Sequence, residues 1–151
     1  MTYLKAFLIA YKAHKGQKDK ARKPYIWHPI AVAAKLPTKD MRIAGLLHDV
    51  CEDSPITSID LLLQGVPPHI VHSIELLTKS PQKPYDVYIQ ELSNDYIARK
   101  VKIADLEHNM DLSRIKDVRV KDRKRVEKYK KAYDYLKYKD ELNEELFNEE
   151  V

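Results

Sequence analysis

His48 and Asp49, with Glu52 and Asp53 one turn further on, set four ionisable side chains in the otherwise apolar segment AGLLHDVCED (44–53). Burying a histidine beside a carboxylate is costly unless something positive compensates. Acids spaced three and four residues apart on a helix repel, and a divalent cation relieves that repulsion. Neighbouring residues of a helix point about 100° apart. A His-Asp pair therefore shares one ion only when the ion sits in the notch between them and other helices complete the shell. Two residues are candidates: His28, at the start of the preceding helix, and Asp105, which interrupts an apolar pattern in line with Val101 and Leu112. Two imidazoles and two carboxylates make a mixed nitrogen and oxygen set, suited to manganese, iron or zinc more than to calcium or magnesium. Each residue has a plainer reading. His48 could be a hydrogen-bonded core histidine, His28 a helix cap, and Asp105 the partner of Lys102 or Arg99 in a helical ion pair. Their occurrence together, in order and in helical context, favours the metal centre.

The flanking residues carry a family resemblance. PYIWHP (24–29), AGLLHDVCED (44–53), LLTK (76–79) and VKIADLEHNM (101–110) resemble the hydrolase domain of the RelA/SpoT proteins, and still more its free-standing form, the small alarmone hydrolases, over residues 14–110. The resemblance implies an HD-type helical domain that removes the 3′-pyrophosphate of guanosine tetra- and pentaphosphate with one manganese ion, iron or zinc being alternatives. By position it makes His28, His48, Asp49 and Asp105 the metal ligands. Glu52 and Asp53 become the acids that activate and orient water, and Lys102 and Asn109 contacts near the reacting phosphate. A bound metal lowers the pKa of its water and draws charge from a phosphoryl oxygen, while a carboxylate in reach takes the proton. The lysine-rich loop 17–23 is the candidate source of cations, with Lys20 and Arg22 expected to bind substrate. Three positions depart from the family's pattern: Asp19, Leu106 and Asp111 stand where basic residues usually meet the nucleotide. Hydrolysis of a phosphate ester or anhydride thus follows more firmly than the identity of the nucleotide. The length leaves no room for the synthetase and regulatory domains of the long enzymes, so neither alarmone synthesis nor ribosome sensing is expected.

Positioning such a centre requires several helices, and the sequence supplies them. Leu4, Phe7, Leu8 and Tyr11 recur at helical spacing up to Gly16; Pro29 suits the first turn of a second helix that ends by Pro37. Thr38 or Asp40 caps the segment 41–53, read as one helix. Shorter helices follow over 59–65 and 69–79, then 85–93, a long one from 95 to 115, and a last one from about 120 to 138. No segment reads as a strand. The expectation is an all-α fold of six to eight helices, with residues 1–139 as the phosphohydrolase domain and 140–151 as an acidic tail with a frayed end.

Composition agrees. In 151 residues, three glycines argue against a glycine-rich phosphate loop or many hairpins. The lone Cys51 calls for no oxidising compartment. No apolar run approaches the ~18 residues of a membrane span, so a cytoplasmic protein acting on a small nucleotide is expected. The net charge of +4 hides an asymmetry: residues 116–139 hold eleven basic and four acidic side chains, and residues 140–151 hold six acids and no base. The chief reading of that stretch is a solvated helix face, and nucleic acid is an unlikely partner. Tyr129, Tyr133, Tyr135 and Tyr138 are read as packing along one side of the last helix. Two alternatives stay open: a hydrolase of another nucleotide phosphate, such as that of a phosphorylated dinucleotide cofactor, or a non-catalytic domain that binds RNA or a partner through the basic helix. Oligomeric state is not legible.

Overall fold

A computed structural model describes residues 1–150, which form nine α-helices and a 3-10 turn. They are α1 (Tyr3–Ala13), α2 (Trp27–Ala34), α3 (Lys39–Leu47), α4 (Val50–Asp53), α5 (Ser58–Leu63), α6 (Pro68–Leu77), α7 (Tyr85–Leu92), α8 (Tyr96–Met110) and α9 (Val120–Glu150), with the turn at Leu112–Arg114 before α9. Side chains cap the starts: Thr2, Thr38 and Asp95 accept from backbone N–H groups of α1, α3 and α8, and Thr57 forms a reciprocal capping box with Asp60 at α5. Gly65, at φ +89°, supplies the left-handed turn after α5.

The segment 41–53 is two helices, not one. α3 ends at Leu47, the residues His48 and Asp49 form a turn, and α4 restarts at Val50. That break brings the helix count to nine and aims both side chains toward the neighbouring helices.

α3 is the centre of the molecule and packs on α1, α2, α6 and α8. Its Met41, Ile43, Ala44 and Leu47 are buried with Val32 of α2, Ile70 and Ile74 of α6, and Val101 and Leu106 of α8. The closest approach is at Gly45, where an added Cβ would lie 2.9 Å from Leu36 Cδ1 and 3.2 Å from Ala33 Cα. Glycine there lets α2 and α3 meet, which sets the distance between His28 and His48.

α9 lies along α8 and continues beyond residue 139 to Glu150. The acidic stretch described as a frayed tail is the end of this helix. Its first residue is anchored, because Asp140 is buried against Arg99 Nε at 2.9 Å and also accepts from Lys100. The four tyrosines do not share a side: Tyr129 and Tyr133 pack against the core, whereas Tyr135 and Tyr138 are exposed. No described helix is long and apolar enough to cross a membrane.

Candidate metal centre

Three elements converge on one point. α2 brings His28, the turn between α3 and α4 brings His48 and Asp49, and α8 brings Asp105. His28, His48 and Asp105 are each 2–3% exposed. Ligand atoms of His28, His48 and Asp49 all lie within 4.8 Å of one another. Asp105 closes the group, with Oδ1 2.9 Å from His28 Nε2 and 3.4 Å from His48 Nε2; Asp49 Oδ2 is 3.0 Å from His48 Nε2 and 3.7 Å from His28 Nε2.

The surroundings fix the rings. His48 Nδ1 donates to the carbonyl of Gly45 at 2.7 Å, which leaves its Nε2 lone pair facing the carboxylates. That Nε2 is buried between Asp49 Oδ2 at 3.0 Å and Asp105 Oδ1 at 3.4 Å without the alignment of a hydrogen bond to either, a geometry suited to an ion shared among them. His28 Nδ1 lies 2.7 Å from Nδ1 of His108, so one ring donates to the other. Burial and the neighbouring His28 push His108 down to about 4, so it stays neutral and can accept while His28 Nε2 faces the cluster. Tyr25 donates to Asp49 Oδ2 at 2.6 Å, and Lys102 and Asn109 donate to Asp105 at 2.8 and 2.9 Å. Burial opposes the charge on Lys102, but Asp105 outweighs it and holds the ammonium well above its ordinary value. Likewise burial would raise the Asp105 carboxyl, and Lys102 with the two histidines drives it well down. Four donors of mixed nitrogen and oxygen type, three buried and Asp49 half-buried, each steadied from behind, fit a divalent transition-metal ion.

His28, Asp49 and Asp105 line a cleft of about 420 Å³, with His48 buried beside them. Glu52 and Asp53 stand at one wall. The backbone N–H of Lys79 donates to Glu52 Oε1 at 2.8 Å, and Gln17 ties down the Asp53 carbonyl at 2.7 Å. Burial, then the charge of Asp49, raises both carboxyl groups above their ordinary values, although the Lys79 N–H partly offsets this at Glu52. Lys18, Lys20, Arg114 and Arg125 bring cations to the mouth.

Of the residues expected to bind substrate, Lys20, Lys102 and Asn109 line the cleft, and Arg22 does not: it is exposed at the loop tip with φ +62°. Leu106 is fully buried in the core, so it is not at a nucleotide-contact position and its departure from the family pattern has no bearing on the cleft. Asp19 and Asp111 do line it, but Asp19 accepts from the Lys23 N–H and pairs with Arg114 at 3.4 Å, which blunts its charge. Four further residues belong to the site or its cleft: His108, Tyr25 and Arg125, to which the sequence assigns no role, and Tyr129, read there as packing. The first two carried a signal: His108 is three residues after Asp105 on α8, and Tyr25 three before His28. Arg125 and Tyr129 reach the cleft only because α9 folds back over α8.

No family model matches the chain. Among curated proteins it is 33% identical over 119 residues to the bifunctional (p)ppGpp synthase/hydrolase SpoT of Escherichia coli, and 32% identical over 120 residues to a probable guanosine-3′,5′-bis(diphosphate) 3′-pyrophosphohydrolase of Synechocystis. Both matches cover 70% of this chain but only 17% and 16% of the relatives, so the chain spans about a sixth of their length. Among solved structures, a metazoan orthologue of SpoT that hydrolyses ppGpp superposes with a TM-score of 0.73, covering 90% of this chain and 88% of that one at 22% identity. In sequence the chain is a homologue of the SpoT/RelA proteins, and its fold is all-helical and matches a helical HD-type domain.

Proposed function

We propose that this chain is a metal-dependent phosphohydrolase that removes the 3′-pyrophosphate of guanosine tetra- or pentaphosphate. The observation that carries the reading is the convergence of His28, His48, Asp49 and Asp105 beside a nucleotide-sized cleft that all but His48 line, with Glu52 and Asp53 and several cations also lining it. The curated relatives' named activity on guanosine polyphosphates supports the substrate class.

The four residues would hold manganese, with iron or zinc as alternatives for the same donor set. When bound, such an ion supplies Lewis acidity toward a phosphoryl oxygen and acidifies water. Glu52, fixed by the Lys79 N–H, accepts the proton of the attacking water, and Asp53 beside it orients that water. The water oxygen bonds to phosphorus, the bond from phosphorus to the ribose 3′ oxygen breaks, and that oxygen is protonated as pyrophosphate leaves. Lys102 and Asn109 hold Asp105 in place from behind, while Lys20, with Lys18, Arg114 and Arg125, binds the phosphates. A cytoplasmic setting goes with this reading, since the single cysteine needs no oxidising compartment.

Purified protein with manganese and guanosine tetraphosphate should release pyrophosphate, and Asp105→Ala should abolish release while circular dichroism stays helical. Release of orthophosphate instead would move the substrate to another nucleotide phosphate.

A further inference from the structure

α9 carries a face that the body of the protein touches only at Lys128, which lies over the Tyr85 ring. Its inner side is buried through Ala132, Leu136 and Asp140. On nearly the opposite side, residues 124, 128, 131, 135, 138, 142, 145 and 149 recur at strictly alternating spacings of four and three, and every one is exposed. Alternation of this kind is the 3.5-residue seam along which two helices pack. The seam reads as three lysines, then Tyr135, Tyr138 and Leu142, then two glutamates. Turned end for end, its charges change places, so it complements an antiparallel copy of itself. In that register Lys124 meets Glu149, Lys128 meets Glu145, the Lys131 stem covers Leu142, and Tyr135 meets Tyr138; two-fold symmetry makes each pairing twice.

Other features point the same way. Residues 141–150 are exposed on every side and carry α9 about 15 Å past its last buried residue. A helical end of that length is marginal alone, yet it presents Leu142, Leu146 and Phe147 at 37%, 52% and 69% exposure. The acids that pair within the chain lie off the seam: Asp134 meets Lys130, and Glu144 meets Lys100. Among the described residues Lys124, Lys131, Glu145 and Glu149 have no ion-pair partner, and Lys128 lies over the Tyr85 ring at 4.0 Å.

We propose that α9 is a self-association helix that pairs antiparallel with a second copy of this chain, its lysine half against the other copy's glutamate half. Sedimentation velocity on the full chain, over a range of concentrations and salt, tests this. The expected result is a reversible monomer–dimer equilibrium that weakens as salt rises. Lys124→Glu and Glu149→Lys should each raise the dissociation constant about tenfold, because symmetry turns two attractive pairs repulsive. An equimolar mixture of these two variants should recover the dimer, and Leu142→Lys should abolish it with helical content intact. A monomer at every concentration would overturn the proposal, as would a dimer indifferent to all three substitutions. RNA retention that Lys124→Glu removes, without self-association, would also overturn it and assign the lysine half to nucleic acid.

Discussion

Glu52 and His108 illustrate two ways in which a single side chain serves the site. Glu52 stands free in the cleft except for one N–H from Lys79, so its second oxygen can take a proton. Glu52→Gln keeps the shape and removes the base; kcat for pyrophosphate release should fall about 10²–10⁴-fold with KM little changed. His108 acts through another ring, since it meets only Nδ1 of His28 and so sets which nitrogen of that ligand faces the cluster. His108→Ala should weaken manganese binding about 10–100-fold by isothermal titration while leaving the fold intact. The four proposed ligands stood out in the sequence because an ionisable residue in an apolar run is conspicuous. His108 was harder to see because it follows Glu107 in a polar stretch, where its spacing of three from Asp105 was the one feature that set it apart.

At the scale of elements, the centre depends on how closely α2 and α3 approach and on how α9 is tied to α8. Gly45→Ala puts a methyl group against Leu36 and Ala33, and it should cost about 1–3 kcal/mol in urea unfolding. The tie between α8 and α9 is the buried pair Arg99–Asp140, with side chains 4% and 7% exposed. Burial would raise the Asp140 carboxyl, but Lys100 and Arg99 outweigh it and hold it below its ordinary value. A carboxyl depressed by folding adds stability above its unfolded pKa of about 3.9, and that stability is lost as the pH falls through the lower folded value. Asp140→Ala should therefore cost about 3–5 kcal/mol at neutral pH, with the gap from the parent closing in acid. Helix number and order were largely readable from apolar spacing and caps. Three boundaries were not: α8 stops at Met110, where Asp111 caps a separate 3-10 turn, and two others were missed for different reasons. The turn at His48-Asp49 has no proline or glycine to mark it; it follows from four side chains converging. Residues 140–150 read as a solvated tail because their one buried link, Asp140, depends on α8, some forty residues earlier.

The whole molecule, with a net charge of +4, joins a basic helical body to a cluster whose carboxylates face one another and are costly to hold together without a cation. Asp49 and Asp105 face the same two imidazoles, Lys102 and Tyr25 each satisfy one oxygen, and His48 Nε2 is left buried without a partner. The proposed ligands come from α2, from the α3–α4 turn and from α8, so an ion held by them would cross-link elements that are far apart in the chain. Unfolding would scatter them, and the ion therefore stabilises only the folded state. At a free manganese concentration 100 times Kd that linkage is worth about 2.7 kcal/mol. For a chain of this size it corresponds to a rise of roughly 5–10 °C in Tm. Differential scanning calorimetry of the metal-stripped protein should show that rise on adding manganese and its reversal by chelator. Asp105→Ala should respond far less, whatever its own Tm. Magnesium at the same free concentration should give a smaller shift, because two imidazole donors favour the softer ion. An equal response to both metals, or one that survives in Asp105→Ala, would place the bound ion elsewhere, since only a site built on the two histidines and Asp105 predicts both differences.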